Sequence, residues 1–217
     1  MTILPFRAPA DVEAAVPRVA AHFAGGGLLG YPTETVYGLG STPTDDAVAA
    51  LARLKGRREG KPFLLLVAGR DMAQRNGLLF TGAAQRLADH FWPGPLTLVL
   101  AGGEGKLPDT LRGPEGGIAV RWTSHATTAL LVERLGHPIT STSANRPGEP
   151  TAAGPTAIAD QFREEVRRGE LLVLDGGTIG SPPPSTVVDC TLPVPRLIRA
   201  GAIPVPEIRN VIGSLAP

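Results

Sequence analysis

Lys55, Arg57, Arg58 and Lys61 fall within the segment KGRREGK, directly behind a stretch with helical apolar spacing. Two readings stand for such a cluster. Cations at a helix C-terminus complement its negative end and are otherwise solvated. Alternatively they grip a polyanion such as a nucleotide triphosphate, lysine as a point charge and arginine as a fork. Further along, Ser141-Thr142-Ser143-Ala144-Asn145 follows a short apolar segment. It reads either as a Ser- or Asx-type turn or as ligand contacts at a strand's carboxyl end, where α/β sheets bind their ligands. Thr33, Thr35 and Tyr37 follow a strand-like segment in the same way, and Arg121 ends another. Ser185-Thr186 and Arg199 repeat the theme near the C-terminus. Each segment alone is a weak signal. Jointly they describe a cleft lined by hydroxyls and cations, suited to an anionic ligand with phosphates and a carboxylate.

Other chemistries lack their residues. Gly56 to Lys61 approaches a phosphate loop, but three residues separate its glycines and Pro62 follows the lysine. No G-x-G-x-x-G opens a helix after a strand, and no G-x-S-x-G occurs. His22, His90, His125 and His137 sit in unrelated segments, so neither a protein-held metal nor a hydrolase triad is expected. The single cysteine, Cys190, excludes an intrachain disulfide and a cysteine-rich zinc site.

The elements that must position these residues follow from periodicity. Asp11 to Phe23 carries Val12, Val16, Val19 and Phe23 at helical spacing, with Pro17 placed to kink or shorten the helix. Gly25-Gly26-Gly27 ends it, and Leu28 to Tyr31 is a short strand before the turn YPTETVYGLG. Thr44 is the expected N-cap of a helix burying Val48, Leu51 and Leu54 and ending near Lys55-Gly56. Phe63 to Ala68 is wholly apolar, as in a strand covered on both faces. A helix from Thr81 to Phe91 is broken by WPGP; strands follow at Leu96 to Leu100 and Ile118 to Arg121. Ser124 is expected to cap a helix ending at Gly136, Pro138 to Ser141 to be extended, and Thr156 to Arg168 to form one helix. Leu171 to Leu174, Thr186 to Cys190 and Leu197 to Arg199 are strands, and a short helix from Pro206 closes the chain. Interleaved strands and helices argue for an α/β class. Without a repeat or a low-complexity linker, one domain over residues 1–217 is expected.

Composition bounds the partners. The 217 residues are 42% hydrophobic, enough for a sizeable core, and Gly 27 and Pro 22 argue for many turns. Lys+Arg 21 against Asp+Glu 20 leaves a formal charge of +1, so no general coat for nucleic acid is expected. MTILPFRAPADVEAAVPRVA lacks the apolar run of a signal peptide, and no run of about 18 apolar residues occurs. The expected location is the cytoplasm.

The spelling of these segments carries more than their physics. YPTETVYGLG, the K-x-R of Lys55 and Arg57, WPGPLTLVL, IAVR, the S-x-N of Ser143 and Asn145, PSTVVD and LIRAG occur in that order. Together they resemble the YrdC-type L-threonylcarbamoyladenylate synthase family over roughly residues 12–205, in its short form. The resemblance implies one α/β domain with a twisted, open, mixed sheet flanked by helices and a large concave cleft. It implies a reaction in which L-threonine, bicarbonate or CO2, and ATP give L-threonylcarbamoyladenylate and pyrophosphate. The product would serve threonylcarbamoyladenosine modification of tRNA, with partner proteins. Carried over by position, Lys55, Arg57, Lys61, Ser143, Asn145 and Arg199 would hold ATP, with Lys55 and Arg57 also catalytic. Thr33, Arg121 and Ser185 would hold threonine, Arg121 pairing with its carboxylate. Mg2+ would arrive bound to the nucleotide. Three departures stand out: Leu64-Leu65-Leu66 where some relatives have a histidine, Thr142 in place of a proline, and the extra cation Arg58.

Two other readings remain open. One is a relative transferring another carbamoyl group, like the YrdC-like domain of hydrogenase-maturation carbamoyltransferases. The other is an RNA- or tRNA-binding module without chemistry, whose signature would be a steep salt dependence of affinity.

Overall fold

The computed structural model describes residues 3–56, 62–180 and 182–217. Arg57, Arg58 and Lys61 therefore lie outside the described residues. In chain order the elements are β1 (Ile3–Pro5), α1 (Pro9–Ala24), β2 (Leu28–Tyr31), β3 (Gly38–Gly40), α2 (Asp45–Leu54), β4 (Leu64–Leu66) and α3 (Arg70–Arg75). There follow β5 (Leu78–Leu79), α4 (Gly82–Phe91), β6 (Leu96–Gly102), β7 (Ile118–Arg121), α5 (Ala126–Leu135) and β8 (Ile139–Ser143). The chain continues through α6 (Pro155–Gln161), α7 (Arg163–Arg167), β9 (Leu171–Asp175), β10 (Thr186–Asp189), β11 (Arg196–Arg199) and α8 (Val205–Ile212).

The strands form one open sheet in the order β1-β9-β2-β3-β8-β4-β7-β6-β10-β11, with β5 added alongside β6. Pairing is mixed. β1 and β2 both run parallel to β9, β4 to β7, and β6 to β10, while the remaining pairs are antiparallel. Helices α1 and α5 pack against each other, as do α4 and α8, and α6 and α7 lie on β9. Tyr31, Tyr37, Phe6 and Phe162 are among the largest side chains with no solvent contact.

Several local expectations hold for the stated physical reasons. Helix α4 begins beside Thr81 and runs to Phe91 as expected, with Thr81 as its N-cap and not its first residue, the hydroxyl accepting from the Ala84 N–H at 3.2 Å. Gly136 ends α5 in the left-handed region at φ 76°. Others give way to tertiary packing. Helix α1 runs through Pro17 without ending, because Val12, Ala15, Val19 and Phe23 keep one buried stripe on either side of it. Thr44 occupies the N-cap of α2, but its side chain makes no capping bond. The N-cap of α5 is His125, with Thr123 Oγ1 accepting from its N–H at 3.2 Å, so Ser124 is not the cap. The single helix expected from Thr156 is two, broken at Phe162, whose φ of −118° and ψ of 37° leave the helical region while its ring is fully buried.

Strand β3 lies inside what reads as a turn. Its glycines are needed for close packing, since a Cβ on Gly40 would sit 2.0 Å from the Thr140 carbonyl and 3.0 Å from the Tyr31 ring. Tyr31 uses that space, its phenol donating to the Thr140 carbonyl at 2.9 Å. Burial pushes the Tyr31 phenol well above its ordinary range.

Candidate functional site

Alternate residues of adjoining strands share a face. On one face of the sheet, Ser141 and Ser143 of β8, Leu64 of β4, Ala119 and Arg121 of β7, and Thr97 of β6 line one cavity of about 430 Å3. Ser185, Val187 and Arg199 continue its wall across β10 and β11, and Thr33 and Thr35 close it from the turn after β2. Val187 pairs with both Thr97 and Arg199, so the three stand in one row across the sheet.

The cavity runs across the sheet face instead of along the carboxyl ends of parallel strands. Antiparallel pairing is the reason. Arg121 pairs with Leu66 and Leu66 with Ile139, whereas Ser143 lies at the other end of β8. Four residues of strand separate the Arg121 level from the Ser143 level, roughly 13 Å. The site therefore has two ends.

At one end lies Arg121, 4% exposed. Its Nη1 donates to Thr35 Oγ1 at 3.1 Å, and its Nε is buried without a partner. Burial lowers the Arg121 pKa, with the Glu34 carboxylate opposing the shift. Glu34 does not reach ion-pair distance of Arg121; its Oε2 accepts from the Thr123 hydroxyl, and its Oε1 is buried without a partner. Thr33 lines the cavity, but its hydroxyl is committed to the turn, donating to the Val36 carbonyl at 2.6 Å and accepting from the Val36 N–H at 3.1 Å. Tyr37 is not in the cavity. Its hydroxyl donates to the Gly177 carbonyl at 2.7 Å and anchors the turn to the loop after β9.

Arg199 forms the adjacent wall. Its Nη2 donates to Ser185 O at 2.9 Å and to Ser185 Oγ at 3.1 Å. Burial lowers its pKa, and the like charge of Arg121 lowers it further. Among the described residues neither Arg121 nor Arg199 has a carboxylate within ion-pair distance. Two partly desolvated guanidiniums facing one cavity with no carboxylate in reach make its wall electropositive.

At the other end, Lys55 is 8% exposed at the C-terminus of α2. Its Nζ donates to Ser143 O at 2.8 Å, to Asn145 Oδ1 at 2.8 Å and to Asn145 O. Ser143 Oγ donates to the same Asn145 Oδ1 at 2.7 Å, and Asn145 Nδ2 donates to Glu149 O at 2.7 Å. A lysine and a loop 88 residues away in sequence are thus one knot. The loop is held from behind as well. Arg146 Nη2 donates to both oxygens of Glu165 at 3.0 Å, and the guanidinium lies over the Phe162 ring at 4.8 Å.

The structure brings Thr33, Arg121, Ser143, Ser185 and Arg199 to one cavity, and ties Lys55 and Asn145 to it through Ser143. Sequence reading missed Thr97, whose hydroxyl lies 2.9 Å from Ser185 Oγ. A hydroxyl in the otherwise apolar run LTLVL was the available signal. A larger groove of about 750 Å3 lies beside α1 and α2, but its Arg134 is already paired with Glu13 at 2.8 Å. Among the described residues no group of three or more His, Cys, Asp or Glu is placed to hold a metal ion. No described helix is long and apolar enough to cross a membrane.

The family model Sua5_yciO_yrdC, described as telomere recombination, matches residues 22–201. A threonylcarbamoyl-AMP synthase of Pyrococcus abyssi is 36% identical over 200 residues, 91% of this chain and 57% of that protein. The chain thus spans less than two thirds of the Pyrococcus relative's length. A threonylcarbamoyl-AMP synthase of Chromohalobacter salexigens is 41% identical over 185 residues, 83% of this chain and 91% of that protein. The crystal structure of Pyrococcus abyssi Sua5 complexed with L-threonine superposes with a TM-score of 0.86 at 33% identity, covering all of this chain and 62% of that one. With a family match over most of its length and relatives at this level of identity, the chain belongs to the Sua5–YciO–YrdC family.

Proposed function

We propose that the chain is one catalytic unit that makes L-threonylcarbamoyladenylate and pyrophosphate from L-threonine, bicarbonate or CO2, and ATP. The product would serve threonylcarbamoyladenosine formation in tRNA with partner proteins. The observation that carries this reading is the pair of guanidiniums, Arg121 buried and Arg199 at the cavity's more open wall, lining one cavity without carboxylate partners among the described residues. The cavity falls within the roughly 300–1,000 Å3 usual for ligand sites.

In this reading the threonine carboxylate pairs with Arg121, with Ser185 beside it, and Thr33 fixes the turn that holds Thr35 against Arg121. The threonine amine, once neutral, adds to the carbon of CO2 and loses a proton to give a carbamate. A carbamate oxygen then attacks the α-phosphorus of ATP; the bond to the bridging oxygen breaks and pyrophosphate leaves. Such a transfer depends chiefly on positioning and on neutralising phosphate charge. Lys55, Ser143, Asn145 and Arg199 are suited to the nucleotide side, and Arg57 and Lys61, outside the described residues, are assigned there by their place in the motif. The distance of roughly 13 Å between the Arg121 and Ser143 levels accommodates an amino acid and a triphosphate end to end. Mg2+ enters as the counterion of ATP, part of the substrate. The donor groups at the nucleotide end are an ammonium, a hydroxyl and an amide, bonded among themselves and to the loop, and on exchanging those partners they suit phosphate oxygens better than a bare cation.

The test is incubation with ATP, bicarbonate and isotope-labelled L-threonine, followed by mass spectrometry. The expected result is a labelled threonylcarbamoyladenylate and pyrophosphate release that requires threonine. Pyrophosphate release indifferent to threonine, or none at all, overturns the assignment.

A further inference from the structure

We infer that Thr97 is a positioning residue: it fixes the Ser185 hydroxyl as a hydrogen-bond donor to an anionic oxygen of the amino-acid substrate. The inference rests on the function proposed above and names the chemistry of one contact within it. Thr97 and Ser185 are 1% and 3% exposed, both line the cavity, and their hydroxyl oxygens are 2.9 Å apart.

Counting donors and lone pairs restricts what this pair offers. A guanidinium has no lone pair, so Arg199 donates to Ser185 Oγ and the serine accepts. Among the described residues Ser185 is the one hydrogen-bond partner of the Thr97 hydroxyl. The two hydroxyls carry two hydrogens, and one is used between them. The pair therefore presents a single O–H to the cavity, whichever oxygen holds it.

An anionic oxygen arriving beside Ser185 selects the sense of the chain. Thr97 then donates to Ser185, Arg199 donates to the same oxygen, and both acceptor positions of Ser185 are filled. The serine is left able only to donate, toward the anion. Each bond in the series Thr97–Ser185–anion polarises the next, and the Arg199 cation strengthens the serine as a donor. Thr97 and Arg199 stand in one row with Val187 across three paired strands, which holds both donors at fixed places beside Ser185. Without the Thr97 hydroxyl, Ser185 Oγ would keep only the Arg199 donor, and its own hydrogen would be less strictly directed to the anion.

Four variants test this: Thr97→Val, which deletes the hydroxyl in nearly the same shape; Thr97→Ser, which keeps it; Ser185→Ala; and the Thr97→Val/Ser185→Ala double. Losing one net hydrogen bond corresponds to roughly three- to tenfold. Thr97→Val should lower kcat/KM for L-threonine by that factor, leave KM for ATP within about twofold, and recover most of the loss as Thr97→Ser. The double variant should be no worse than Ser185→Ala, because Thr97 acts through Ser185. Wild-type values in Thr97→Val, equal losses in Thr97→Val and Thr97→Ser, or losses that multiply in the double variant overturn the role. The wild type is assayed first, and absence of adenylate there counts against the proposed reaction itself. Calorimetric titration of L-threonine into the same five proteins reads the Thr97 effect independently of turnover; a wild type that binds no threonine overturns both.

Discussion

Arg121 is a buried cation whose Nε has no partner and whose nearest acidic neighbour, Glu34, is engaged by Thr123. Leaving a buried charge so poorly compensated is unfavourable unless a ligand completes it. That makes the residue a sharp point of test. A lysine at this position keeps the charge but loses the planar fork that matches a carboxylate. Arg121→Lys is expected to reduce kcat/KM for L-threonine by roughly 10²-fold, the scale of removing one charge-stabilising donor. ATP affinity, measured by calorimetry without threonine, should change little. A matching loss of ATP binding would place Arg121 on the nucleotide side. Lys55 differs in kind: its Nζ already donates to Ser143 O, Asn145 O and Asn145 Oδ1, so the proposed role on the nucleotide side requires ATP to share or displace those acceptors.

At the scale of elements, the sharpest constraint is the approach of the segment after β11 to the start of β10. A Cβ on Gly201 would sit 2.3 Å from the Pro184 carbonyl oxygen and 2.6 Å from Ser185 backbone atoms, and Ala202 N–H donates to Pro184 O at 2.8 Å. The glycine of LIRAG therefore sets where Ser185 stands. Gly201→Ala is expected to displace the Pro184–Ser185 backbone, and with it the Ser185 groups that accept from Arg199. It should lower kcat/KM for threonine by about tenfold or more, with a stability cost of about 1–3 kcal/mol typical of overpacking. Steady-state kinetics beside urea denaturation would check it; full activity with unchanged stability would mean the backbone yields elsewhere. The elements misread from sequence were those fixed by neighbours. Thr156 to Arg168 has continuous helical spacing, yet Phe162 leaves the helix to bury its ring, and Arg146 then stacks on it. Periodicity records which side of a segment is apolar; it does not record a kink imposed by the loop packed on top.

For the whole molecule, stability should depend on His125. It sits at the start of α5 with its Nδ1 3.2 Å from Thr127 Oγ1. Burial lowers its pKa, and the Glu34 charge offsets part of that. Because the unfolded chain then takes up the proton first, stability is full above the ordinary histidine value of about 6.5 and falls as pH drops through the folded value. Urea midpoints at pH 7 and at about pH 5.5 should show the decline, and His125→Gln should flatten it. An unchanged slope in the variant would assign the decline to other groups. Glu34 interacts with both Arg121 and His125 and accepts from Thr123, so the same variant also reports how tightly the Arg121 end is coupled to the fold through that carboxylate.

The sequence by itself determined what each segment is made of and where its polar residues stand on it. Leu28–Tyr31 and Ile118–Arg121 are strands, Gly136 is a left-handed helix end, and Ser143, Asn145, Arg121 and Arg199 stand at segment ends. Those features follow from local spacing and backbone preference. Tertiary structure alone decided that residues from Thr33 to Arg199 share one cavity, that antiparallel pairing lays it across the sheet face, and that Thr97 stands behind Ser185. Register between strands is a non-local quantity. A one-residue slip would leave every segment's composition unchanged while turning its side chains to the other face.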